Sequence, residues 1–218
     1  MRAAALAVIA AVGAGGARGM ELTLDSRAIQ EALWIANHSL ESAHRQYHAD
    51  YRFDVNTAPV DFLSIVTPFR RLVLAAETEV RLGRRMFGQR EALTALQPKP
   101  QRVEIYVELS FHPHNTFVGV PDYTVELLPA AARGAAVPAE HVDRLPRFGP
   151  RHDAAWHPFP YPYSAGPAAP SGSGPLLGGT LIARYDGEAL DPKGLYQVIV
   201  KDGKTTLART RIDLGRLR

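Results

Sequence analysis

The sequence predicts an α+β protein in which N-terminal helices are followed by an antiparallel β-sandwich short of a full strand complement. Two stretches carry the helices: from Ile29 to Tyr47 and from Phe69 to Val80, apolar residues recur every three or four positions. Strands are indicated by strict alternation from Val103 to Phe111 and by three β-rich runs after Gly178. Pro98 and Pro100 separate the two periodicities, so residues 20–97 read as a helical region and 101–218 as the sandwich.

Residues 1–19 have the layout of a secretory signal peptide. Arg2 gives a positive start, Ala3 to Ala14 is apolar but too short to span a bilayer, and Ala17 and Gly19 place small residues before a cleavage at Met20. A mitochondrial transit peptide fits less well, because the stretch lacks Ser and is poor in Arg. The chain has no Cys, which suits the periplasm better than a disulfide-building secretory route. The sequence pI of about 9.3 overstates the basicity. Setting aside Arg2 and Arg18 leaves 23 of the 25 basic residues against 22 acidic ones. No basic stripe suggests nucleic acid, and no later run has the length of a membrane span.

In chain order, Glu21 to Leu24 reads as a short strand and Asp25 or Ser26 as the cap of the first helix. That helix has an apolar stripe of Ile29, Leu33, Ala36, Leu40, Ala43 and Tyr47, beside a polar face of Asn37, Glu41, His44 and His48. Histidines four apart share a helix face, so His44, His48 and Glu41 form one candidate zinc or copper site. The Glu that follows the first His in zinc-protease motifs is missing. Arg52 to Ala58 reads as a connector and Pro59 to Ile65 as a helical turn. Thr67-Pro68 then matches a cap followed by proline in the first turn. The helix it starts has Phe69, Leu72, Val73, Ala76 and Val80 on one face, with the arginines at 70, 71, 81, 84 and 85 read as surface charge. Glu91 to Leu96 makes a further short helix.

After the strand from Val103 to Phe111, the loop His112 to Pro121 is unusually apolar for a turn. It either folds under the sheet or presents a contact surface through Phe117 and Val118. His112 and His114 form a second candidate metal pair. Tyr123 to Leu128 is the next strand, and residues 129–178 form a Pro/Gly-rich insertion. Its aromatic arm alternates Pro with Trp156, Phe159 and Tyr161, an extended pattern suited to docking in a groove. Runs at Gly179–Tyr185, Tyr196–Val200 and Thr205–Leu214 complete the strands, with Asp202-Gly203 as a hairpin turn.

Leu190, Pro192, Tyr196, Val198 and Val200 follow the spacing L-x-P-x-x-x-Y-x-V-x-V. This resembles the tyrosine corner of fibronectin type III and other immunoglobulin-like sandwiches, and the resemblance implies an immunoglobulin-like β-sandwich whose Tyr196 hydroxyl bonds to the preceding loop. Only five or six strands can be counted, and the inter-sheet Trp is missing. If five strands alternate in direction, His112 and His114 lie at the same end as Asp186, Glu188 and Asp191. No phosphate loop, dinucleotide fingerprint or nucleophile elbow occurs. The leading expectation is therefore an exported, non-enzymatic binding or structural module whose partner is a protein or envelope component. A periplasmic metal-binding protein and an enzyme with dispersed catalytic residues are the alternatives.

Overall fold

The computed structural model describes residues 19–38, 40–83, 87–97, 99–112, 114–130, 134–149 and 175–218. Its elements are α1 (Ser26–Ala36), α2 (Glu41–Ala49), β1 (Arg52–Thr57), β2 (Val60–Val66), α3 (Pro68–Arg81), α4 (Gln89–Leu96), β3 (Val103–Ser110), β4 (Thr124–Pro129), β5 (His141–Phe148), β6 (Leu176–Tyr185), β7 (Leu195–Asp202) and β8 (Thr205–Asp213).

All strand pairs are antiparallel, in one sheet of order β1-β2-β3-β6-β5 and another of order β4-β7-β8. Strands β2 to β8 thus reproduce the four-plus-three arrangement of an immunoglobulin-type sandwich. The sandwich is complete and β1 is an addition, which corrects the incomplete strand count. Alternation explains the core between the sheets. Val103, Ile105, Val107 and Leu109 of β3 meet Leu181, Ala183 and Tyr185 of β6, with Val125, Leu127, Val198, Val200, Ala208 and Ile212 opposite. Tyr185 donates its hydroxyl hydrogen to Val125 O across the sheets at 3.0 Å, and burial raises its pKa.

Three expected elements differ. Residues 52–66 are a β-hairpin rather than a connector and a helical turn, because Val60, Leu63 and Ile65 bury against the sandwich core. The 20–97 region is therefore not purely helical: β2 is the first sandwich strand, with α3 and α4 inserted before β3. Residues 21–24 are irregular. The first helix ends at Ala36, where the Asn37 side chain donates to Leu33 O at 2.7 Å and the Leu40 N–H donates to His38 Nδ1 at 3.2 Å. Such local side-chain bonds compete with the helical ladder. The break rotates Leu40 off the apolar stripe and leaves it 55% exposed.

The insertion at 129–178 contains β5, which its polar pattern and Pro146 conceal. As a sheet edge, β5 tolerates a proline. Strand β6 begins at Leu176, where Gly178 permits the close approach of the Leu109 carbonyl. Asp202 pairs with Thr205, so the last turn is Gly203-Lys204, one residue beyond expectation, with Gly203 at φ +54°.

Above the larger sheet lies a helical layer. Ala28, Ile29, Ala32 and Ala36 of α1 meet Phe69, Leu72, Val73 and Ala76 of α3, and Ala92 and Leu96 of α4 close the cluster. On the opposite side, Leu74 contacts Val66, Tyr106 and Ile182 on the outer face of the sheet. The ten residues from Pro68 to Glu77 are all buried. Arg70 and Arg71 are therefore interior rather than surface charge; Arg71 donates to Lys99 O at 3.0 Å and to Arg102 O.

Tyr196 accepts the Asp191 N–H at 2.7 Å, forming the corner that its spacing suggests. Tyr196→Phe removes this acceptor without changing shape. It should lower unfolding stability by roughly 1–2 kcal/mol with an unchanged denaturant slope, measured by urea titration.

Candidate functional site

The candidate residues fall in two places, the loop after β3 and the space under α2. Strand β3 runs antiparallel to β6 with Val103 opposite Tyr185 and Ser110 opposite Gly178. The loop after β3 therefore lies where β6 starts, and the 187–194 loop lies at the other end. The expected proximity of His112 and His114 to Asp186, Glu188 and Asp191 is wrong, because the unrecognised β5 reverses the direction of β6.

The first place is the loop from Phe111 to Pro121. Phe111 donates its N–H to Leu177 O at 2.8 Å, and its ring stacks edge-on against Phe117 at 5.1 Å. Asn115 holds the turn: its amide nitrogen donates to His112 O and Leu176 O, both at 2.6 Å. Its side-chain oxygen accepts the Phe117 N–H at 2.9 Å. Val120 turns inward to the core. Phe117 and Val118 face outward, 43% and 96% exposed. The loop thus folds under at Phe111 and Val120, with Phe117 and Val118 outward between them.

His112 and His114 are exposed, with ring centroids 5.3 Å apart, and His112 Nδ1 accepts the His114 N–H at 3.2 Å. That bond uses one of the nitrogens a metal would need. Trp156, Phe159 and Tyr161 lie outside the described residues. Gly149 and Pro175, the described residues on either side, lie at this same end, where the Gly149 N–H donates to Pro175 O at 3.2 Å.

The second place lies under α2, a helix with no buried residue. The partner that His44 and His48 find is Glu77 of α3, not Glu41, which is exposed. His44 Nδ1 stands 2.6 Å from Glu77 Oε1, and His48 Nε2 lies 3.0 and 3.1 Å from the two carboxylate oxygens. His44 Nε2 reaches the His38 carbonyl at 2.7 Å. Of that polar face, His44 and His48 are engaged, while Asn37 and Glu41 are exposed. Among the described residues no group of three or more His, Asp or Glu side chains is arranged to hold a metal ion.

Arg70 lies two turns before Glu77 on the same face of α3. Its side chain is fully buried, donating to Ser64 Oγ and Ile65 O, both at 2.6 Å, and lying 4.7 Å over the Tyr51 ring. Burial pushes its pKa down to about 10, although Tyr47, Tyr51 and Glu77 oppose the shift. The Tyr47 hydroxyl donates to that of Tyr51 at 3.3 Å, and burial raises the pKa of both. The Tyr51 hydroxyl in turn donates to Arg218 O at 3.1 Å, while the Arg218 guanidinium reaches Glu21 at 3.3 Å and also Glu31.

Glu77 is the residue that helix patterning missed. Its neighbour Ala76 and its helical predecessor Val73 belong to the apolar stripe, and a carboxylate flanking such a stripe signals a buried partner. Burial alone raises the Glu77 pKa; hydrogen bonds and charge from His48, then His44, outweigh it and hold the carboxyl below its usual value. Its contribution to stability is therefore present at neutral pH and lost as pH falls through that lowered value. Glu77→Ala should cost roughly 3 kcal/mol at neutral pH, since it leaves buried polar partners uncompensated. The deficit should shrink towards acid pH, where the wild type loses the same interaction; urea unfolding across pH measures both.

Compared with protein-family models, curated proteins and solved structures, the chain matches none.

Proposed function

We propose that the chain is an exported, periplasmic binding or structural module of the cell envelope, acting through the loop at the β3–β4 end rather than by catalysis. The observation that carries this reading is the pairing of order with exposure. Asn115 fixes the loop backbone at 2.6 Å bonds to His112 O and Leu176 O, while Val118 stands 96% exposed beside Phe117. An apolar side chain held outward on a rigid loop loses little conformational entropy when a partner covers it. The described flanks of the aromatic arm, Gly149 and Pro175, stand at the same end, and this reading gives Trp156, Phe159 and Tyr161 a part in the same contact. The leader at residues 1–19 supports export, and no helix among the described residues is long and apolar enough to cross a membrane. The sandwich serves as the scaffold, a role this architecture fills independently of any reaction.

A photocrosslinking residue replacing Val118 in the exported protein should yield an adduct with an envelope component. Phe117→Ala should abolish the adduct, and the same crosslinker at Glu188, on the opposite end, should give none. No adduct from position 118, or equal capture from both positions, would refute the reading.

A further inference from the structure

The stretch from Gly19 to Thr23 is built into the fold rather than trailing from it. Met20 is 3% exposed and belongs to the sandwich core with Tyr185, Leu190 and Leu217. Its N–H donates to Pro192 O at 2.9 Å. Gly19 is also buried, at φ +73°, and a Cβ added to it would stand 2.8 Å from Lys193 Cγ and 3.1 Å from Pro192 O. The following residues are each held. Glu21 meets the Arg218 guanidinium at 3.3 Å, Leu22 packs on the core beside Gly187, and Thr23 accepts from the Gln101 amide at 3.4 Å. The stretch runs irregularly between the 187–194 loop and the C-terminal segment.

This is where the sequence puts the end of the leader, with Gly19 as the small residue before the cut. A peptidase takes the residues around a scissile bond as an added, extended strand and pairs their backbone N–H and C=O groups. In the folded chain this stretch offers no such strand. The Met20 N–H is already paired and its side chain is interior, while the positive φ of Gly19 is left-handed rather than extended. Presenting the bond would draw Met20 out of the core and return its apolar surface to water.

We propose, resting on the reading that residues 1–19 direct export, that Gly19–Met20 is a processing site which folding seals. The chain crosses the membrane unfolded, is cut there, and only then closes its sandwich. Hydrolysis adds one water across the amide. It leaves a carboxylate on Gly19, which departs with the leader, and an ammonium on Met20. Pro192 O, which accepts the amide N–H, is placed to accept from that ammonium. Met20 then enters the core as the first residue of the processed chain, whereas a precursor that folds uncut keeps its leader.

The test dilutes the full precursor, Met1 to Arg218, from urea into detergent micelles and adds purified leader peptidase at increasing delays. Mass spectrometry reads the cut, and near-UV circular dichroism follows folding. Chain that meets the peptidase at once should be cut between Gly19 and Met20. Cleavage should slow by about a hundredfold or more as folding completes, because the bond is then reached only through opening. Two variants separate sealing from loss of the leader into micelles. Leu109→Asp puts a carboxylate in the core and should stay cleavable at every delay. Inserting about ten Gly/Ser residues after Gly19 moves the site clear of the fold, and this precursor should be cut even when folded. Undiminished cleavage of the folded wild-type chain, or resistance in either variant, would overturn the sealing and leave the export reading standing. No cut after Gly19 in the unfolded chain would overturn both.

Discussion

Helix α3 is enclosed on two sides, and that enclosure sets the terms for most of the molecule. One side meets α1 and α4 through Phe69, Leu72, Val73 and Ala76, and the other meets the sheet through Leu74. A helix in this position can keep polar residues only where the protein supplies partners, because burying an unpaired charge costs far more than a hydrophobic contact returns. Arg70 accordingly takes Ser64 and Ile65 O from β2, Arg71 takes carbonyls from the segment leading into β3, and Glu77 takes two histidines from α2. The charged residues of α3 thus connect it to the elements before and after it in the chain. These connections are directional where apolar contacts are not, and so they fix how the helical layer sits on the sandwich.

The sandwich itself is conventional in topology, and its distinctive feature is what has been inserted. Between its first and second strands lie α3 and α4, and before its first strand lie α1, α2 and the added strand β1. The inserted layer buries the outer face of β3 as well as its inner one, so Tyr106 and Glu104 are both inside. Glu104 is tolerated there because Arg102 and Arg184 stand 3.2 and 3.3 Å from it. The sheet also ends safely, since β5 combines exposed charge with Pro146 at an edge that would otherwise invite another strand.

The two ends of the sandwich differ in character. At the β3–β4 end, backbone bonds through Asn115 hold apolar side chains outward. At the other, Tyr51, Thr67 and Arg218 tie the approach to β1, the start of α3 and the final segment together by polar contacts. Helix α2 buries no residue, and its Tyr47 is half-buried against both apolar clusters.

Patterning within the sequence was enough for the parts of this protein that depend on local chemistry. The Thr67-Pro68 start of α3, the alternating β3, the last three strands and the Tyr196 corner are all visible in residue spacing, because each follows from backbone geometry and one apolar face. The loop residues Phe117 and Val118 were legible for the same reason, as apolar side chains where a turn should be polar. Tertiary structure decided the rest. Strand β5 is polar with a proline, and only its edge position against β6 makes it a strand; its presence reverses the direction that spacing implies for β6 and sets His112 and His114 at the opposite end from Asp186, Glu188 and Asp191. The hairpin of β1 and β2 exists because the sandwich core accepts Val60, Leu63 and Ile65. His44 and His48 were visible as a pair, but their partner Glu77 stands 33 and 29 residues away and is brought to them by packing. Sequence spacing records which residues share a face; which two faces meet is settled by the free energy of closing them together.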